Sequence, residues 1–173
     1  MIDLKPACRQ MIYVLDGMGD EQLTCPTPCA RYTVRDLIDH VDEAARGFTS
    51  LARRDLGGGD GGGTDVAEAV KALGAAWADP SAWSGSTDAA GVELPNELWG
   101  RIALTEMVVH GWDLAQATGQ FFDLPSRTLH ACYAHVVDFV PQAPLPELWG
   151  TPVAVPADAP LLDRVVAATG RRP

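Results

Sequence analysis

Apolar residues along the chain recur mostly at helical spacing. From Leu4 to Met18, Cys8, Met11, Ile12 and Leu15 share one face, and Gly17 and Gly19 end the run. A second helix is predicted from Thr33, where Thr33-Val-Arg-Asp36 is a capping-box variant with Asp in place of Glu or Gln. Its stripe is Val34, Leu37, Ile38, Val41, Ala45 and Phe48. Asp65 to Trp77 reads as a third helix built on Val66, Ala69, Val70 and Leu73. The longest pattern runs from Trp99 to Gly119, with Asn96 as its cap candidate and Gly119 as its stop. Past the turn FFDLPS, Leu129, Cys132, Tyr133, Val136, Val137 and Val140 mark a further helix, and Pro160 to Ala168 a short last one. The connections are the CPTPC loop, the glycine run Gly57 to Gly63, an irregular crossover from Asp79 to Pro95, and a proline-rich stretch before Pro160. No convincing alternating pattern predicts a strand, so the expected class is all-α, one domain over residues 1–173.

The Trp99–Gly119 helix is apolar nearly all round, which predicts burial. At about 100° per residue, Glu106, His110 and Asp113 fall within roughly 60° of arc. A buried carboxylate is costly without a partner. Glu106-x3-His110 places two potential metal ligands one turn apart, and a Glu–His hydrogen bond between packed helices would satisfy the same pair without an ion. His40 lies about 100° from the centre of the second helix's stripe, where pattern alone reads a boundary histidine with its polar edge in water. His130 and His135 stand roughly 140° apart on their helix and cannot easily share a metal, so both read as surface or core-edge residues. Trp112 reads as core packing.

A net charge of −10 argues against nucleic acid as a partner but leaves room for a local cationic pocket. No apolar run is long enough for a membrane helix, and the N-terminal MIDLKPACRQ lacks a signal peptide's apolar core, so the expected setting is the cytoplasm. There, Cys8, Cys25, Cys29 and Cys132 are expected as free thiols, with Cys25-Pro-Thr-Pro-Cys29 a stiff packed loop or, alternatively, a redox or regulatory pair. The glycine run lacks the Lys-Ser/Thr of a phosphate loop.

Three stretches carry a family resemblance: PTPCARYTVRDLIDHV (Pro26 to Val41), LTEMVVHGWDLAQATGQ (Leu104 to Gln120) and WGTPVAVPADAPLLDRVVAATGRRP (Trp149 to Pro173). In order and over almost the whole chain, they resemble the actinobacterial metal-binding subfamily of the DinB and mycothiol-dependent maleylpyruvate isomerase superfamily. The resemblance implies a DinB-like four-helix bundle with a long crossover and short accessory helices. It also implies a divalent metal, held by His40, Glu106 and His110, and overrides the boundary reading of His40.

Two histidines and one carboxylate leave a fourth position open, as catalytic zinc sites do. Zinc is the first expectation for the ion, with nickel, iron and manganese also compatible. The resemblance implies a low-molecular-weight thiol cofactor, mycothiol first, and a small-molecule electrophile as partner. Asp113 is the candidate catalytic residue, either supporting His110 or contacting the bound thiol, against a plain surface or salt-bridge role. The isomerase carries an additional C-terminal domain and this chain ends soon after the bundle, so thiol S-transfer or isomerase-like chemistry is expected rather than isomerisation of maleylpyruvate itself. The alternatives are a non-catalytic metal-binding module and a non-haem iron oxygenase. A homodimer through helix faces is compatible with each.

Overall fold

The computed structural model describes residues 1–55, 65–89, 91–143 and 149–173. The glycine run Gly57 to Gly63 lies outside the described residues. Among those described, the helices are α1 (Lys5–Asp16), α2 (Val34–Arg53), α3 (Val66–Ala76), α4 (Asn96–Thr118), α5 (Ser126–Phe139) and α6 (Leu161–Ala168). Their ends follow from local hydrogen bonding. At the start of α2 the Asp36 carboxylate accepts the Thr33 N–H at 3.0 Å, while the Thr33 hydroxyl oxygen accepts the Asp36 N–H at 3.4 Å. Asp65 accepts the Ala67 N–H to open α3. Gly119, at φ +69°, closes α4 in the left-handed conformation that glycine adopts without strain.

Helices α1, α2, α3 and α4 pack so that α2 touches α3 and α4, and α1 touches the same two. The predicted stripes face inward: Met11 and Val14 of α1, Leu37 and Val41 of α2, and Val70 and Leu73 of α3 are fully buried. Helix α4 is buried over most of its circumference, including Leu104, Met107, Val108 and Leu114. Helix α5 packs on α4 and carries α6. Burial of this continuous apolar cluster is the main driving force for the fold.

Two expectations are corrected between α3 and α4. The crossover contains an antiparallel hairpin, β1 (Ser86–Ala89) and β2 (Val92–Pro95), where the sequence pattern predicts no strand, so the protein is mostly helical with one small two-stranded sheet. Its strands are four residues each and largely exposed, too short to show a period-2 signal. Asn96 is not the N-cap of α4, since Pro95 occupies that position. The Asn96 side chain instead donates to the Ser84 carbonyl (2.8 Å) and accepts from the Thr87 hydroxyl (2.7 Å), tying the hairpin to the helix. Trp99 reinforces this with an indole N–H bond to the Thr87 carbonyl at 3.0 Å.

The last segment returns to α4, where Arg171 meets Asp113. Gly170, at φ +88°, follows α6 and lies flat against the Gly150 backbone, where any Cβ would collide. The Arg171 N–H then bonds the Val166 carbonyl at 3.0 Å, which aims the Arg171 side chain inward.

Candidate functional site

Helices α2 and α4 run antiparallel, so that His40 of α2 faces Glu106 and His110 of α4, and Phe48 faces Trp99 (ring centroids 6.3 Å apart). His40 Nε2 stands 3.1 Å from Glu106 Oε2, and His110 Nε2 3.2 Å from the same oxygen. The two imidazoles meet edge to face at 5.0 Å, and the outer face of His40 stacks on Tyr32 at 5.3 Å. Glu106, required by its burial to find a partner, has found two.

Asp113 is completely buried one turn beyond His110, and its Oδ2 lies 3.0 Å from His110 Nδ1. A carboxylate only accepts, so His110 carries its hydrogen on Nδ1 and turns Nε2 toward Glu106. Asp113 is itself held by Arg171, whose Nη2 and Nε donate to its two oxygens at 2.8 and 3.2 Å. The third guanidinium nitrogen donates to the Thr169 carbonyl at 3.0 Å. Both carboxylate oxygens are thus engaged: Asp113 is not a surface charge but a buried salt-bridge partner of Arg171 that also bonds His110.

Burial opposes charge on both Glu106 and His110, yet their mutual attraction wins. Despite its desolvation, Glu106 is held well below the usual carboxylate range by His110 and His40. His110 is pushed up to about 9 because the charges and hydrogen bonds of Glu106 and Asp113 outweigh its desolvation. Both shifts favour the ion-paired form of Glu106 and His110.

The donor set fits a metal ion. The ligand atoms of His40, Glu106 and His110 all lie within 4.8 Å of one another. Two donors at about 2.1 Å on a tetrahedral ion stand roughly 3.4 Å apart, close to the His–Glu separations here. Cys29, His110 and Asp113 form a second such group. It suits a cation less well, because the Arg171 guanidinium already occupies Asp113.

The remaining candidates separate cleanly. All four cysteines are free; Cys8 and Cys132 are buried with thiols pushed up to about 12 by desolvation, and Cys25 and Cys29 are half-buried. The Thr27 hydroxyl bridges the Cys29 and Tyr32 carbonyls and so pins the CPTPC loop, whose two thiols are half-buried rather than packed away. His130 is exposed and bonds the Ser126 carbonyl at 2.7 Å. His135 is buried and stacked on Phe139, deeper than a surface or core-edge position, and burial pushes it down to about 4. Trp112 is core, as its pattern predicts.

The triad opens on a cavity of about 910 Å³ running between α2 and α4. Residues 4–66 and 58–115, in two overlapping matches, fit the family described as the mycothiol maleylpyruvate isomerase N-terminal domain. The chain belongs to that family. Within it, His40, Glu106, His110 and Asp113 all fall inside the matched residues, and Arg171 falls outside them. The chain is also similar to two uncharacterized proteins of Mycobacterium tuberculosis, from strains CDC 1551 and H37Rv. Each is 30% identical over 166 residues, covering 91% of this chain and 90% of its own length. No solved structure matches.

Three neighbours of the triad escape pattern reading. Tyr32 and Cys29 sit in a loop, where periodicity has nothing to say. Arg171 sits in the closing ATGRR, and nothing local couples it to an aspartate 58 residues away.

Proposed function

We propose that this protein is a divalent-metal-dependent thiol S-transferase or isomerase-like enzyme. His40, Glu106 and His110 hold the ion, zinc first, and mycothiol or a similar small thiol is the cofactor. The observation that carries the reading is the convergence of His40 Nε2, Glu106 Oε2 and His110 Nε2 on one point at the wall of a large cavity. Such a set leaves one position of a tetrahedral ion open toward that space. When bound, the ion would keep a thiol sulfur deprotonated at neutral pH and so supply the nucleophile.

The chain's own groups prepare this. Asp113 fixes the His110 ring and its tautomer, so Nε2 offers its lone pair. Arg171 balances the Asp113 charge, which would otherwise lie buried and uncompensated. With neutral histidines, the two carboxylates, the guanidinium and a divalent ion sum to a single positive charge, which a thiolate neutralises. In S-transfer the thiol proton leaves to solvent, a sulfur–carbon bond forms from the sulfur electron pair, and the leaving group departs with the pair of the bond it vacates. In the isomerase-like case the sulfur–carbon bond breaks again after rotation. Membership of a family named for mycothiol supports the thiol.

Elemental analysis, cobalt substitution and titration with mycothiol test the reading. We expect one metal per chain and a thiolate-to-cobalt charge-transfer band on adding mycothiol. Full metal content and thiol binding in His110→Ala would overturn the ligand assignment. Bound metal with no band would favour a metal-binding module without thiol chemistry.

A further inference from the structure

The electrophile has its own room in the cavity. Beyond His40, α2 presents Ala44, Gly47, Phe48 and Leu51 to the space, and α4 presents Ile102 and Trp99 on the N-terminal side of Glu106. At 1.5 Å per residue, Phe48 and Trp99 lie about 10–12 Å along their helices from the triad. Phe139 and Trp149, themselves in edge-to-face contact at 6.5 Å, form another wall. The floor is cut away at Gly47, mid-helix, where a Cβ would meet nothing within 4 Å. Glycine is a poorer helix former than alanine, so α2 forgoes stability at a point where the cavity gains width.

Charge narrows the choice of occupant. The arginines lining the cavity are Arg31 and Arg171. Arg171 is engaged by Asp113 and a carbonyl, and Arg31 lies over the Tyr32 ring at 5.8 Å. Away from the triad the lining carries the carboxylates Glu43, Asp55 and Asp88. A dicarboxylate would meet more negative than positive charge along this wall. Resting on the thiol-transfer reading, we infer that the electrophile is an uncharged molecule with a bulky aromatic or branched-hydrocarbon body, seated between the Phe48–Trp99 pair and the Phe139–Trp149 wall, and not a small dicarboxylate.

The test uses the full chain, metal content measured in every sample, and two probes: the neutral fluorophore N-phenylnaphthylamine and the dianion maleate. We expect saturable binding of N-phenylnaphthylamine near one per chain and no displacement by maleate. Gly47→Leu and Ala44→Phe, which fill the floor from α2, should each weaken probe binding at least about tenfold with metal content unchanged. Gly47→Ala should bind the probe nearly as the parent does. Displacement by maleate, or undiminished probe binding in both filled variants, would overturn the inference. Because the probe needs no metal, a protein that takes up no metal even on reconstitution yet still binds the probe would defeat the metal reading and leave the cavity assignment standing. A metal-loaded protein that ignores the probe would do the reverse.

Discussion

Arg171 grips Asp113 with two hydrogen bonds, of 2.8 and 3.2 Å, across 58 residues of sequence, and through Asp113 it sets the ring of His110. Removing the arginine would strand a fully buried carboxylate. Arg171→Met is expected to cost about 3–5 kcal/mol in urea unfolding. It should also weaken metal binding by about 10–100-fold, measured by competition with a chromophoric chelator. Adding Asp113→Asn to that variant should restore most of the stability and little of the affinity, since the buried charge is gone but His110 still lacks its carboxylate.

The metal-free protein has a defined pH window. His110 is raised from 6.5 to about 9, so its contribution to stability is full below 6.5 and is lost as pH rises through about 9. Glu106 is lowered from 4.5, so its contribution is present above 4.5 and is lost as pH falls below that value. Thermal unfolding of the metal-free chain should therefore peak between these limits and decline toward pH 9. Metal binding must displace the His110 proton, so apparent affinity should climb with pH over the same range, with proton release measurable by calorimetry in buffers of different ionisation heat.

Thiol labelling separates the two candidate ligand groups. In the native protein, iodoacetamide should modify Cys25 and Cys29 and spare Cys8 and Cys132, which are buried and carry thiols raised to about 12. Loading with zinc should leave the rate at Cys29 unchanged if the ion sits on His40, Glu106 and His110. Protection of Cys29 by zinc would place it on Cys29, His110 and Asp113.

Gly100 tests how the hairpin end of the cavity is held. A Cβ there would stand 2.8 Å from the rings of both Trp77 and Trp83, which pack edge to face with each other. Gly100→Ala is expected to destabilise the fold by about 1–3 kcal/mol despite its better helix propensity. Chemical denaturation with tryptophan fluorescence would show it, and an unchanged midpoint would mean that the two indoles yield freely.

By itself the sequence determined the helices, because their stripes, caps and glycine stops are local: the Thr33–Asp36 box, the αL stop at Gly119 and the pairing of Glu106 with His110 all depend on residues within one or two turns. Its family motifs also brought His40 to the same set. Only the tertiary structure decided the rest. The hairpin at Ser86–Pro95 forms because Asn96 and Trp99 hold it, not because its own residues alternate. Asp113 became a buried support rather than a surface charge when Arg171 arrived from the far end of the chain. The cavity took its shape from four aromatic rings on α2, α4, α5 and the segment beyond, which meet only when those elements pack. Periodicity reports which face of an element is apolar; which residue stands opposite is settled by packing between distant segments, and that is where this site was made.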